Sequence, residues 1–138
     1  MANTLHSNIK ASRGLSPAAA TTDNTAFVSQ IVDTANFENT EFVILTGSLA
    51  DADATFTVLF EDGDNSALSD NAAVADGYLL GTEALASFTY ADDNSVFKIG
   101  YRGPKRYCRV TITPANNTGN AFVAGVWIQS GARVAPQA

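Results

Sequence analysis

Hydrophobic and polar residues alternate in short runs along most of this chain, with a period of two. A period of two sends successive side chains to opposite faces and marks β-strands. Residues 54–61 show it best. Ala54, Phe56, Val58 and Phe60 fall on one face, and Thr55, Thr57, Leu59 and Glu61 on the other. In residues 105–113, Cys108, Val110 and Ile112 share a face, and Tyr107, Arg109 and Thr111 take the opposite one. Residues 41–47 (EFVILTG) read as a strand whose unbroken apolar run predicts burial on both faces. Residues 27–32 (FVSQIV) predict a strand closed by Asp33 and Asn36, and residues 121–129 (AFVAGVWIQ) the last one. Residues 96–101 predict a strand, Arg102-Gly103-Pro104 a tight turn, and residues 105–113 the returning strand of a hairpin. Residues 78–81 and 84–90 read as short strands, and residues 72–75 as one weak helical turn.

Turn residues punctuate these runs at Asp51-Ala52-Asp53, at residues 62–66, at Asp92-Asp93-Asn94 and at residues 114–120. Seven to eight short strands at this spacing predict an all-β fold, an antiparallel β-sandwich or barrel-like (jelly-roll-like) architecture. It forms a single domain over residues 25–138. Residues 1–24 are small and polar and predict an N-terminal arm, extended or disordered until bound.

A chain of 138 residues buries roughly 68% of its unfolded surface, so neither disulfide nor metal is needed for folding. The single cysteine gives no support to an oxidising compartment. The first 24 residues lack the apolar core of a signal peptide, and no run of about 18 apolar residues could span a membrane. These features predict a cytoplasm-like environment and no membrane partner.

Charge adds a second pattern. All 14 acidic residues lie from Asp23 to Asp93, and no lysine or arginine occurs from Gly14 to Phe97. Six of the eight basic residues follow from Lys98 onward, and Lys10 and Arg13 precede the acids. Opposite-sign segments can pair within a chain or between chains. Lys98, Arg102, Lys105, Arg106 and Arg109, interleaved with Tyr101 and Tyr107, form the candidate partner-binding patch, with Lys10 and Arg13 of the arm as a second contact. Arg and Tyr are enriched at protein interfaces. The same residues could instead pair internally with the acidic strands. Binding to nucleic acid is disfavoured by the net charge of −6.

Reaction chemistry finds little footing. Cys108 sits on an apolar strand face, and the lone histidine, His6, lies in the arm. The loop at residues 62–67 departs from an EF-hand by lacking the glycine at its sixth position and a closing glutamate. Its acids, like the pairs Asp51/Asp53 and Asp92/Asp93, read as solvated turn residues, with weak Ca²⁺ binding left open. Paired carboxylates for glycosidic chemistry also stay open, because separation in space is invisible in sequence. Trp127 reads as a core anchor, with a carbohydrate platform as the alternative. The chain is therefore read as a non-enzyme with no cofactor.

The segments Ser29-Gln30-Ile31-Val32-Asp33, residues 42–47, Asp51-Ala52-Asp53-Ala54-Thr55-Phe56 and residues 99–110 (IGYRGPKRYCRV) form a recognisable set. Together they resemble small proteins of tailed bacteriophages and prophages encoded near the major capsid gene. The likeness runs from about residue 30 to residue 134, and the G-Y-x-G-x-K-R-Y-x-R core is its most specific part. In that family the position of Cys108 is commonly a plain apolar residue. The resemblance implies a virion structural protein of the head decoration (cement) type. Its partners would be the major capsid protein and further copies of itself, its location the capsid surface, reached through the host cytoplasm during assembly. A neck, tail-tube or fibre-associated role is the alternative within the virion, and a glycan-binding β-module the alternative outside it. The resemblance supplies no catalytic residues.

Overall fold

A computed structural model describes residues 5–132, and its elements are almost entirely antiparallel strands in two packed sheets. Six strands are long: β1 (Ile9–Leu15), β4 (Asn39–Leu49), β5 (Thr55–Gly63), β9 (Val96–Tyr101), β10 (Tyr107–Ala115) and β11 (Ala121–Ser130). Five are two-residue pieces: β2 (Phe27–Val28), β3 (Val32–Asp33), β6 (Ala72–Ala73), β7 (Leu79–Leu80) and β8 (Phe88–Thr89). The first sheet has the order β1-β11-β4-β9-β7. The second has β10 and β5 at its centre, flanked by β2 and β3 on one side and β6 and β8 on the other. Both sheets keep open edges, so the fold is a sandwich and not a closed barrel. Among the described residues, helix is limited to α1 (Leu5–Asn8), a 3-10 turn and α2 (Glu83–Ala86).

The core lies between the inner faces. Phe42, Ile44, Ile99 and Trp127 come from the first sheet, and Phe56, Phe60, Val110 and Ile112 from the second. Trp127 ties them together. Its ring meets Phe42 edge-on at 4.7 Å and Phe60 at 5.7 Å, and its indole N–H donates to the Gln30 carbonyl at 3.0 Å. At 1% exposed, Trp127 is a core anchor and offers no platform to a sugar.

Several expectations change. The strand expected over 27–32 splits into β2 and β3, both paired with β10. Between them the backbone turns inward. The Ser29 hydroxyl accepts from Val110 N–H, and Gln30 N–H donates to the Gly14 carbonyl of the other sheet. Residues 72–75 contain a strand pairing with β5 and not a helical turn, whereas α2 takes residues 84–86 of the expected strand 84–90. The Thr82 hydroxyl caps α2 by accepting from Leu85 N–H, and the Glu83 carboxylate accepts from Phe60 N–H. Part of the predicted arm is in the sheet. Residues 9–15 form β1, which pairs antiparallel with β11 from Ile9↔Ser130 to Leu15↔Gly125. Gly14 is required there, because a Cβ would overlap the ring of Phe42 and crowd the Gly125 carbonyl. Residues 1–4 of that arm lie outside the described residues.

The predicted hairpin does not form. β9 lies in the first sheet beside β4 and β7, whereas β10 lies in the second beside β5. The reason is partner choice. β10 makes nine register pairs with β5, from Tyr107↔Gly63 to Ala115↔Thr55, and β9 makes six with β4. The short link at residues 102–106 therefore crosses from one sheet to the other.

Candidate interaction surfaces

The sheet crossing is built from the residues that looked most like a binding motif. Tyr101, at the end of β9, is 3% exposed and turns its ring inward, nearly parallel to Phe60 at 5.5 Å. Its hydroxyl donates to the Asp62 carboxylate of β5 at 2.7 Å and accepts from Lys105 N–H at 3.0 Å. One side chain thus joins the first sheet, the link and the second sheet. Burial, and the proton shared with Asp62, push the Tyr101 hydroxyl far above the usual phenol range, so it stays a donor. Gly103 sits against the same ring, where a Cβ would lie 2.5 Å from the hydroxyl oxygen. Tyr101 is thereby corrected from a surface contact to a structural corner.

The cations of the link pair with the acidic half. Lys105 Nζ lies 2.8 Å from Asp64, and Arg106 makes two bonds to Asp33 at 2.9 and 2.8 Å while its guanidinium lies 5.1 Å from the Tyr107 ring centroid. On the outer face of the second sheet, Arg109 pairs with Glu61 at 3.3 Å, directly across the β10–β5 ladder. Of the two destinations open to these cations in the sequence, internal pairing is the one observed for all three. The two exposed pairs, Lys105–Asp64 and Arg106–Asp33, contribute about 0–1 kcal/mol each, whereas Arg109 and Glu61 are largely shielded from water. Uncompensated removal of these cations would leave the acidic half repelling itself.

Most of the aspartates have local work. Asp51 accepts from Asp53 N–H at 2.8 Å and Thr118 N–H at 2.7 Å, and these bonds hold its carboxyl below the usual range. Asp70 accepts from Asp64 N–H at 2.9 Å and Asn65 N–H at 3.2 Å, with the same effect. Asp93 caps Leu49 N–H, and Asp92 caps Thr89 N–H. These are turn staples. Among the described residues no group of three or more His, Cys, Asp or Glu is arranged to hold a metal ion. Cys108 is fully buried, and desolvation pushes its thiol well above the usual range, which makes it a poor nucleophile.

Lys10, Arg13, Lys98 and Arg102 have no acidic group within 4.0 Å among the described residues. Arg102 is turned to the Gly77 carbonyl, and Lys10 stands over the Phe37 ring. Arg13 and Lys98 lie on the outer face of the first sheet, with Val126 and Val43 between them in one cross-strand row. The next row toward the end of β4 brings Ala124, Leu45 and Val96 together. Leu45 is 52% exposed, Val96 63%, and Phe122 beyond them 36%. The preceding row holds Ile128 and Glu41, whose carboxylate lies over Gly100. Burial raises the carboxyl of Glu41 above its ordinary range, and Lys98 offsets this in part.

This apolar outer face corrects one expectation and explains it. The run at residues 41–47 does carry two apolar faces. Phe42 and Ile44 are buried, but Val43 and Leu45 point away from the core, with no further layer of the described chain over them. Sequence reasoning did not single out this surface, although the unbroken run was its signal.

No protein-family model and no curated protein matches the chain. Among solved structures it is similar to the SPBc2 prophage-derived protein YomS, at 13% identity and a TM-score of 0.48, over 88% of this chain and 93% of that one. It is also similar to a family 35 carbohydrate-binding module from an environmental isolate, at 8% identity and a TM-score of 0.44, over 98% and 95% of the two chains. The N-terminal xylanase 10B modules of Clostridium thermocellum match at 11% identity and a TM-score of 0.44, over 98% of this chain and 29% of that one. At these identities and TM-scores the likenesses carry no functional information.

Proposed function

We propose that this chain is a structural virion protein of the head decoration type, which acts by docking and not by catalysis. One observation carries the reading: β4 has apolar residues on both faces, and the described chain covers only one of them. A sandwich outer face that keeps Val43, Leu45, Val96 and Phe122 in water, with Arg13 and Lys98 at its margins, is built to be covered by another protein. The basic link no longer competes for that role, because Lys105, Arg106 and Arg109 are engaged within the chain. The sequence resemblance at residues 99–110 supplies the setting, a phage head, and its motif residues are those that join the two sheets.

The test is to add purified chain to heads from which it has been genetically removed. Co-sedimentation with the heads, and a rise in the temperature at which they release DNA, is the expected result. Unchanged release temperature with no binding at both low and physiological salt overturns the reading. Binding confined to one vertex in micrographs moves the protein to the neck or tail and overturns the decoration assignment.

A further inference from the structure

We infer that the outer face of the first sheet docks against the same face of a second copy of this chain, across a two-fold axis that pairs Arg13 of each copy with Glu41 of the other. The inference rests on the reading of this face as the assembly face and names its occupant.

The argument begins with charge. Glu41 and Arg13 project from the same face as the apolar rows. Among the described residues neither has an oppositely charged group within 4.0 Å, and Arg13 reaches only the Ser16 hydroxyl at 3.2 Å. One face therefore holds Arg13, with no acidic group within 4.0 Å, and Glu41, offset only in part by the neighbouring Lys98, around an apolar centre. A cation and an anion set apart on one face can each meet the other on an identical surface, as a self-complementary patch requires.

The spacing allows it. Strands lie about 4.8 Å apart, and same-face residues repeat about every 6.8 Å along a strand. Arg13 on β1 and Glu41 on β4 are two strands and one such step apart, about 12 Å on a flat grid. A two-fold axis lying in the face and crossing β11 between Val126 and Ile128 exchanges their positions. It brings Leu45 beside Val96 of the second copy. It sets Lys98 over Ala124, so no like charges meet.

Size agrees. β4 and β11 present about five outward rows each, and β1 and β9 three each, a projected patch of about 500 Å² per copy, or at most about 1,000 Å² in total. That reaches the lower bound for a specific interface.

Analytical ultracentrifugation of the purified chain between about 1 and 200 µM tests the inference, with far-ultraviolet circular dichroism confirming the fold of each variant. A concentration-dependent dimer is expected. Leu45→Lys should abolish it. Arg13→Glu and Glu41→Arg should each weaken it on the order of a hundredfold, since each places two like-charge contacts in the interface. The double exchange Arg13→Glu/Glu41→Arg should restore it to within about threefold of the original. A wild-type monomer throughout this range overturns the inference. So does a dimer indifferent to Leu45→Lys, or single charge reversals that the double exchange does not rescue. Head binding by the wild-type chain is measured in parallel. A monomer that still binds heads removes the self-pairing alone, and a chain that does neither removes both readings.

Discussion

Replacing Tyr101 with phenylalanine removes one oxygen atom from a place where it makes two bonds. The ring stays, and with it the parallel packing on Phe60 at 5.5 Å. What goes is the donor to Asp62 at 2.7 Å and the acceptor for Lys105 N–H at 3.0 Å. A hydrogen bond to a charged group contributes about 1.5–3 kcal/mol, and a buried acceptor left without its donor costs about 1–3 kcal/mol. Asp62 is 9% exposed, so water can replace part of the loss. The expected destabilisation is about 2 kcal/mol. For a domain of this size that lowers Tm by roughly 6–10 °C. Lys105→Met is the comparison. It removes only the exposed pair to Asp64 and should cost about 0–1 kcal/mol. Thermal melts and urea unfolding of the two variants, with Asp62→Asn and the double variant completing a cycle, measure the coupling directly. A Tyr101→Phe variant within about 0.5 kcal/mol of wild type would refute the corner as the joint between sheets, and so would a larger loss from Lys105→Met.

Two further expectations follow from buried and titrating groups. Cys108 should be inert to a water-soluble thiol reagent in the native state and react at a rate set by global unfolding, because it is fully buried and its thiol is held protonated; stoichiometric labelling within seconds under native conditions contradicts this. Acid titration should destabilise the fold as pH falls below the ordinary aspartate range near 3.9, since Asp33, held down by Arg106, and Asp51 and Asp70, held down by backbone N–H groups, contribute fully above that range and lose their contribution as pH drops through their depressed folded values. Glu41 has the opposite sign: its raised folded value means its ionisation opposes folding as pH rises. At concentrations where the chain is monomeric, Glu41→Gln should raise Tm at pH 7 and lose that advantage toward pH 4, which a pH series of melts would show.

The inner faces were legible because burial imposes period two. Phe56, Val58 and Phe60, and Cys108, Val110 and Ile112, occupy the core face that their spacing assigns. Pairing was not legible, for a physical reason. Residues 96–101 and 105–113 flank a short Arg-Gly-Pro turn, and local chemistry favours a hairpin. Tertiary pairing with β4 and β5, more than 40 residues away, decides against it. β1 was missed because a strand on a sheet edge buries little. Only Gly14 and Leu15 of its seven residues are buried, so the pattern left no hydrophobic trace. At the surface, Arg106 and Lys105 have the same side chains whether they meet Asp33 and Asp64 or a foreign partner. Only the arrival of those aspartates at the link, through β3 and the end of β5, settles where their charge goes.

β11 is made after every other described strand, yet it takes the second place in its sheet, between β1 and β4. Until translation reaches residue 130, β1 has no strand partner, and one edge of β4 stands open. At 5–20 residues per second that wait lasts roughly 6–24 s. During it the aromatic side of β4 lacks Trp127, and the nascent polypeptide presents unsatisfied edges to its surroundings. Closing the sheet then joins segments more than 100 residues apart, a slow event for a small protein. Insertion of the last strand is thus the natural checkpoint of biosynthesis, and the interval before it is when a chaperone would matter most.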